Sequence, residues 1–194
     1  MAGFALSAQK AFLNPFVGYT FQNRFDISGG EAKLKDGITY GATLAFPISR
    51  TNAIEILYSR QESRLEAHSV FFDEPFFEDV AMNYIMIGGK KVFPGVNEDF
   101  QYYGGMRVGV AVLSSNSDSY SSITRFAAGI NLGFAYYLSK VVGLHGGFNM
   151  NFPITDVGAG LGWSSSGGTS VGVTGWSPIV QFTFVGGISM RLGS

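Results

Sequence analysis

Alternation dominates the chain. Over residues 15–27 the odd positions carry Val17, Tyr19, Phe21, Asn23, Phe25 and Ile27, and the even positions carry Gly18, Thr20, Gln22, Arg24 and Asp26. Successive side chains of a strand point to opposite faces, so this spacing predicts a strand with one greasy row and one small or polar row. Segment 38–48 repeats it, with Ile38, Tyr40, Ala42, Leu44, Phe46 and Ile48 against Thr39, Gly41, Thr43 and Ala45. Segment 53–61 is the weakest, sending Ile54, Ile56 and Tyr58 one way and Glu55, Leu57 and Ser59 the other. In 80–92 the greasy row is read as Val80, Met82, Tyr84, Met86 and Gly88, leaving Ala81, Asn83, Ile85, Ile87 and Gly89 on the second row. In 100–113, Tyr102, Met106, Val108, Val110 and Val112 oppose Gln101, Tyr103, Gly105, Arg107 and Gly109. Segment 125–138 sets Phe126, Ile130, Leu132, Phe134 and Tyr136 against Ala127, Gly129, Asn131, Gly133 and Ala135. The cleanest is 141–154, where Val142, Leu144, Phe148, Met150 and Phe152 oppose Gly143, His145, Gly147, Asn149 and Asn151. The last, 179–192, contrasts Val180, Phe182, Phe184, Ile188 and Leu192 with Gln181, Thr183, Gly187, Ser189 and Arg191.

Eight strands are thus predicted, with no formal charge assigned to a greasy row; Arg24, Asp26, Glu55, Arg107 and Arg191 all fall on the second row. A soluble sandwich would crowd its polar face with Lys and Glu, whereas here that face carries Gly, Ser, Thr, Asn and Gln. Such residues suit a narrow, crowded interior. The connections supply an independent signal. They alternate long and short, with 28–37, 62–79, 114–124 and 155–178 long and 49–52, 93–99 and 139–140 short. Long loops at one end, short turns at the other, an apolar outside and an even strand number describe a transmembrane β-barrel. The alternation puts both termini at the short-turn end.

Composition narrows the choice further. Charged residues make up only 14% of the 194 residues, against about 25% in soluble domains, while 46% are hydrophobic and 27 are glycine. A net charge of −1 leaves no basic stripe for nucleic acid. High aromatic content excludes disorder. The absence of cysteine removes disulfides, thiolate chemistry and cysteine-based metal sites. The longest nearly apolar run, 126–138, contains Asn131 and is flanked by Arg125 and Lys140, too short for the ~20 residues of a spanning helix. Phe4 to Ala8 has the character of the end of a secretory signal peptide without a basic leader. Residues 1–10 are therefore expected to be a signal-peptide remnant or flexible leader, and 11–194 the barrel domain.

With its strand number, alternation and loop asymmetry, the stretch from Asn14 to Leu192 resembles the small eight-stranded outer-membrane β-barrels of Gram-negative bacteria, of the OmpX, OmpW and OmpA-transmembrane-domain type. The resemblance implies an all-β, antiparallel up-and-down barrel in a bacterial outer membrane, monomeric, with periplasmic termini. It also implies outer-membrane lipid and the barrel assembly machinery as partners. Such barrels tend to end on an aromatic residue, and this chain ends Met190-Arg191-Leu192-Gly193-Ser194.

Eight strands enclose a lumen that side chains can fill. Inward glycines (Gly18, Gly41, Gly89, Gly105, Gly109, Gly129, Gly133, Gly143, Gly147) would make room for larger groups, and Tyr40, Tyr58, Phe93, Tyr102, Tyr136 and Phe152 would form interfacial girdles. Isolated buried charges cost several kcal/mol, so Glu55 is expected to pair with Arg191 or Arg107, with Arg24 and Asp26 forming a second lumen cluster near the outer mouth. His145, Asn131, Asn149 and Asn151 are read as lumen polar residues. Two histidines and no clustered ligands or paired carboxylates give no catalytic constellation, since His68-Ser69 lies in a predicted loop and His145 among glycines and asparagines. No enzyme activity, cofactor or metal is expected. The loop carrying Phe71, Phe72, Phe76 and Phe77 among acids, and the loop carrying Trp163 and Trp176, are candidate contacts to lipid or another outer-membrane protein. The reading is a structural, surface-display or accessory-subunit barrel with a polar, largely plugged lumen. The alternative is a narrow channel or hydrophobic-ligand conduit of the OmpW kind; a lipocalin-like soluble barrel would reverse the two faces.

Overall fold

The computed structural model describes residues 11–27, 30–69, 76–95, 97, 99–115, 122–154 and 180–193. They form ten strands and, among the described residues, no helix. These are β1 (Ala11–Thr20), β2 (Asn23–Ile27), β3 (Gly30–Leu34), β4 (Gly37–Pro47), β5 (Asn52–Ser69), β6 (Phe76–Pro94), β7 (Phe100–Ser115), β8 (Ile123–Tyr137), β9 (Val142–Ile154) and β10 (Gln181–Leu192). Eight of them close a ring, β1-β4-β5-β6-β7-β8-β9-β10 and back to β1, every pair antiparallel. The remaining two, β2 and β3, make a hairpin that continues β1 and β4 upward and leans on the upper part of β5. The fold is an eight-stranded up-and-down barrel.

Two of the short turns are built alike. Ser49 Oγ accepts from the backbone nitrogens of Thr51 (3.3 Å) and Asn52 (3.0 Å), and Ser139 Oγ accepts from those of Val141 (3.2 Å) and Val142 (3.0 Å). A serine hydroxyl at the start of a turn supplies the acceptor that the reversing backbone lacks. Both termini of the barrel lie at this end, because Ala11 pairs with Leu192.

The outer wall is apolar and bare. Met106 is 70% exposed, and Ile54, Ile56, Ile85, Ile87, Val108, Leu132, Phe134, Leu144, Phe184 and Ile188 are exposed with it. A continuous belt of this kind is matched to hydrocarbon rather than water. Aromatic side chains gather at its lower margin, where Phe100 sits 5.0 Å from Tyr102 and stacks 5.7 Å from Phe134, near Tyr136 and Phe93. At the upper margin Tyr40 donates to Glu62 (3.2 Å) and Tyr58 to Asn83 (3.3 Å). These tyrosines keep the ring in oil and the hydroxyl in a polar layer. Phe152, half-buried, lies beside Ala128.

Three expectations are corrected. The row assigned to lipid in 80–92 is the inner one. Val80, Met82, Tyr84 and Met86 are buried, while Ile85 and Ile87 face out and Gly89 meets nothing within 4 Å. Both rows of this segment are apolar, so alternation alone could not choose between them; the register with Glu55 does, because Glu55 pairs with Gly88. The second correction concerns residues 15–27. Thr20 is buried and pairs with Gly37, whereas Asn23 pairs with Leu34, whose own partner is the buried Leu65. The alternation therefore slips at Phe21–Gln22, and again at Lys35–Asp36 on the neighbouring strand, where four residues oppose three of β5. An extra residue in one strand reverses the facing of everything beyond it. Arg24 is consequently turned outward, in register with Lys33 and Glu66, and is not part of a lumen cluster with Asp26. Asp26 keeps register with Glu31, and its side chain lies outside the described residues. Third, most of 28–37 and much of 62–79 is strand, since β3, β5 and β6 run well past the predicted ends. β9 stays in register with β8 through Ile154, while Trp163, Trp176 and residues 1–10 lie outside the described residues.

The facing of β6 is testable with adjacent glycines. A Cβ on Gly88 would be driven into the Met106 carbonyl oxygen and 2.7 Å from the Arg107 Cα, whereas one on Gly89 has open space. Gly88→Ala is expected to destabilise the barrel by about 1–3 kcal/mol and Gly89→Ala by less than about 0.5 kcal/mol, read as urea unfolding midpoints in detergent micelles. Equal midpoints would overturn the assignment.

Candidate functional site: the contents of the lumen

Glu55, Gly88, Arg107 and Gly129 occupy one continuous register row across β5, β6, β7 and β8. Gly88 stands between the carboxylate and the guanidinium with no side chain of its own, so Arg107 reaches across its strand to Glu55. Arg107 Nε donates to Glu55 Oε1 (2.7 Å), and Nη2 closes a second contact to the same oxygen. Lys90, two residues along β6, donates to the other carboxylate oxygen at 2.8 Å. Arg107 Nη1 donates to Asn149 Oδ1 (3.2 Å). With the Asn131 amide turned so that its nitrogen donates to the Gly105 carbonyl (3.1 Å), its oxygen accepts from Arg107 Nη2 (3.1 Å). Glu55 is only 2% exposed. Burial of these ions is tolerable because each has a charged partner and Arg107 has neutral acceptors besides.

Above the cluster, toward the loop end, the lumen is packed with larger groups. Leu57, Met82, Tyr84 and Met86 are buried there in one apolar cluster. Around it runs a polar chain: the Tyr84 hydroxyl donates to Gln181 Oε1 (2.5 Å), and Gln181 Nε2 donates to Gln61 Oε1 (2.9 Å). Thr20 shares hydroxyl contacts with Thr39 (2.5 Å) and Thr183 (2.7 Å), tying β1 to both neighbours from the inside. Leu34, Leu65, Val80, Ala111 and Ala127 extend the apolar packing further up. Below the cluster the lumen opens. A vestibule of about 520 Å³ at the short-turn end is lined by Glu55, Lys90, Arg107 and Arg191 among others. Outside the wall, a shallow apolar groove of about 700 Å³ runs over Phe93, Tyr102, Leu132, Phe134, Phe148 and Phe184.

No protein-family profile and no curated protein matches the sequence. Solved structures match the fold. Neisserial surface protein A superposes with a TM-score of 0.63 at 16% identity, covering 93% of this chain and 96% of that one. The N-terminal β-barrel domain of Pseudomonas aeruginosa OprF gives 0.51 at 13% identity, covering 95% and 98%. The chain has the fold of the small eight-stranded outer-membrane β-barrels. Identities this low carry the fold and nothing of a specific activity.

Within this outer-membrane-type barrel the candidate residues separate clearly. Glu55, Arg107, Asn131 and Asn149 come together as described. Arg191 does not reach Glu55; its guanidinium lies over the rings of Phe12 (5.3 Å) and Tyr137 (5.7 Å). Asn151 is buried next to Gly129, higher in the lumen. His145 is held by the Pro15 carbonyl oxygen at 3.2 Å, and its ring occupies the space that a Cβ on Gly187 would take. Phe77 is exposed and pairs with Glu66. Phe76 belongs to β6 by its backbone, its side chain lying outside the described residues, as do Phe71 and Phe72 altogether. Lys90 and Tyr84 were not anticipated as lumen residues. Lys90 was nonetheless signalled: with Met82 and Tyr84 on the lipid row, the same alternation would have placed a lysine in hydrocarbon two residues after Gly88.

Replacing Glu55 with Gln leaves Lys90 and Arg107 without a counter-charge. Glu55→Gln is expected to cost about 3–5 kcal/mol of folding stability, while Glu62→Gln on the exposed wall costs less than about 1 kcal/mol. Urea titrations of both variants in lipid vesicles check this, and coincident midpoints would contradict the buried cluster.

Proposed function

We propose that the protein is a bacterial outer-membrane barrel, with its termini on the periplasmic side, that acts as a structural, display or accessory element with a sealed lumen. The observation that carries this reading is the layer of Leu57, Met82, Tyr84 and Met86 lying directly above the Glu55–Lys90–Arg107 cluster. A hydrated ion would have to displace well-packed apolar side chains and then break a buried ion network, and each step costs several kcal/mol. His145 engaged by a backbone carbonyl supports a non-enzymatic role. The strands β5 and β6 run to 18 and 19 residues, beyond the ~9–11 needed to span hydrocarbon. Their upper parts and the loop they carry, with Phe71, Phe72, Phe76 and Phe77, are the proposed surface for lipid or another outer-membrane protein. The loop bearing Trp163 and Trp176 is proposed as a second such surface.

The conduit alternative would draw on the apolar groove of the outer wall. The ladder beneath that groove is unbroken, with Tyr103 paired to Gly133, Gly133 to Gly147 and Gly147 to Val185. A lateral passage between strands has no gap to use, which favours the sealed reading. Planar-bilayer recordings of the purified barrel decide between them. Electrically silent insertions are expected; a large, steady open state would refute the sealed lumen.

A further inference from the structure

We propose that the vestibule at the short-turn end is a binding site for a small organic oxyanion, a carboxylate, phosphate or sulfonate group carried on an apolar body. Four cationic side chains line this cavity, Arg50, Lys90, Arg107 and Arg191, against one carboxylate, and that carboxylate is already shared by Lys90 and Arg107. The surplus is positive and faces a water-accessible space with low-dielectric walls, where field lines concentrate and attract counter-charge. Arg191 supplies the geometry. Its guanidinium carbon lies 5.3 Å from the centre of the Phe12 ring and 5.7 Å from that of Tyr137, and its buried Nε has no hydrogen-bond partner. A buried donor without an acceptor is uncommon and calls for one. The planar fork of an arginine matches two oxygens of an oxyanion. Among the described residues no carboxylate pairs with Arg191 to fill that role.

The rest of the cavity selects what carries the anion. Tyr103, Tyr137, Val92 and Val185 contribute apolar walls, and about 520 Å³ exceeds what a bare inorganic ion occupies. An anion with an aromatic or short aliphatic body would set its charged end at Arg191 and its body against these side chains. Lys90 sits over the Tyr103 ring at 4.8 Å, so the cationic and aromatic surfaces are continuous there. The site lies on the short-turn side of the Glu55 cluster and needs no passage through the barrel, so it stands or falls independently of the sealed lumen.

The test uses the full chain in lipid nanodiscs, titrated separately with benzenesulfonate and with inorganic phosphate, and followed by the backbone amide shifts of Ser189 and Tyr137. Benzenesulfonate is expected to give saturable shifts and to bind more tightly than phosphate. Arg191→Gln is expected to weaken it about tenfold or more, with Arg191→Lys recovering only part of the loss, while Arg64→Gln on the outer wall has no effect. Should Arg191→Gln fail to assemble, Arg50→Gln takes its place and is expected to weaken binding as well. Shifts that grow linearly without saturation, affinity unchanged in the vestibule variants, or equal loss in Arg64→Gln would reduce the effect to diffuse charge and overturn the site. Phosphate binding as tightly as benzenesulfonate would overturn the organic class.

Discussion

In hydrocarbon, an unpaired peptide N–H or C=O costs several kcal/mol, and a sheet escapes that cost only by having no edge. The seam between β1 and β10, from Ala11 with Leu192 to Thr20 with Thr183, is where this chain meets the requirement. Once the ring is closed at eight strands its bore is fixed, and the inward positions must fit it. That is why the inner face alternates between groups with almost no volume and groups that reach the axis. Gly41, Gly109 and Gly129 lie opposite or beside Phe16, Met86 and Asn151 for this reason.

The bore is filled in two different ways, stacked along the axis. Toward the loops, dispersion between Leu57, Met82, Met86 and the Tyr84 ring does the filling, and the amides of Gln181 and Gln61 take up the Tyr84 hydroxyl in one hydrogen-bonded chain. Toward the turns, three charges on adjacent strands satisfy one another. The two solutions meet at Gly88, which is small enough for the arginine to cross and is flanked in its own strand by Met86 and Lys90, one side chain for each regime.

The architecture was readable because its signal is redundant. Eight alternating segments and a long–short order of connections each imply the same ring, and an error in one segment does not disturb it. The facing of a single strand has no such redundancy. In 80–92 both rows are apolar, Met and Tyr on one and Ile on the other, so the pattern carried no sign; only the neighbour in the ladder, Glu55 against Gly88, fixes it. The slip at Phe21–Gln22 was masked for a related reason. Phe25 and Ile27 continue the greasy beat of Val17 and Tyr19 in the sequence, although the backbone skips between them. Pairings across the lumen depend on side-chain reach, which is why Glu55 had two arginines open to it until their positions were known.

The extra residue on the second barrel strand does more than reverse a pattern. Below Lys35 the outer row of that strand is Ile38 and Tyr40; above it stand Lys33 and the ion pair of Lys35 with Glu66 (3.0 Å). The change from oil-tolerant to water-demanding surface therefore happens over the three positions from Ile38 to Lys35, not gradually. Sinking the cylinder by that much would drag a lysine and a glutamate into acyl chains, and raising it would lift bare isoleucines into water. A local irregularity of the backbone thus works as a draught line, setting how deep the molecule floats.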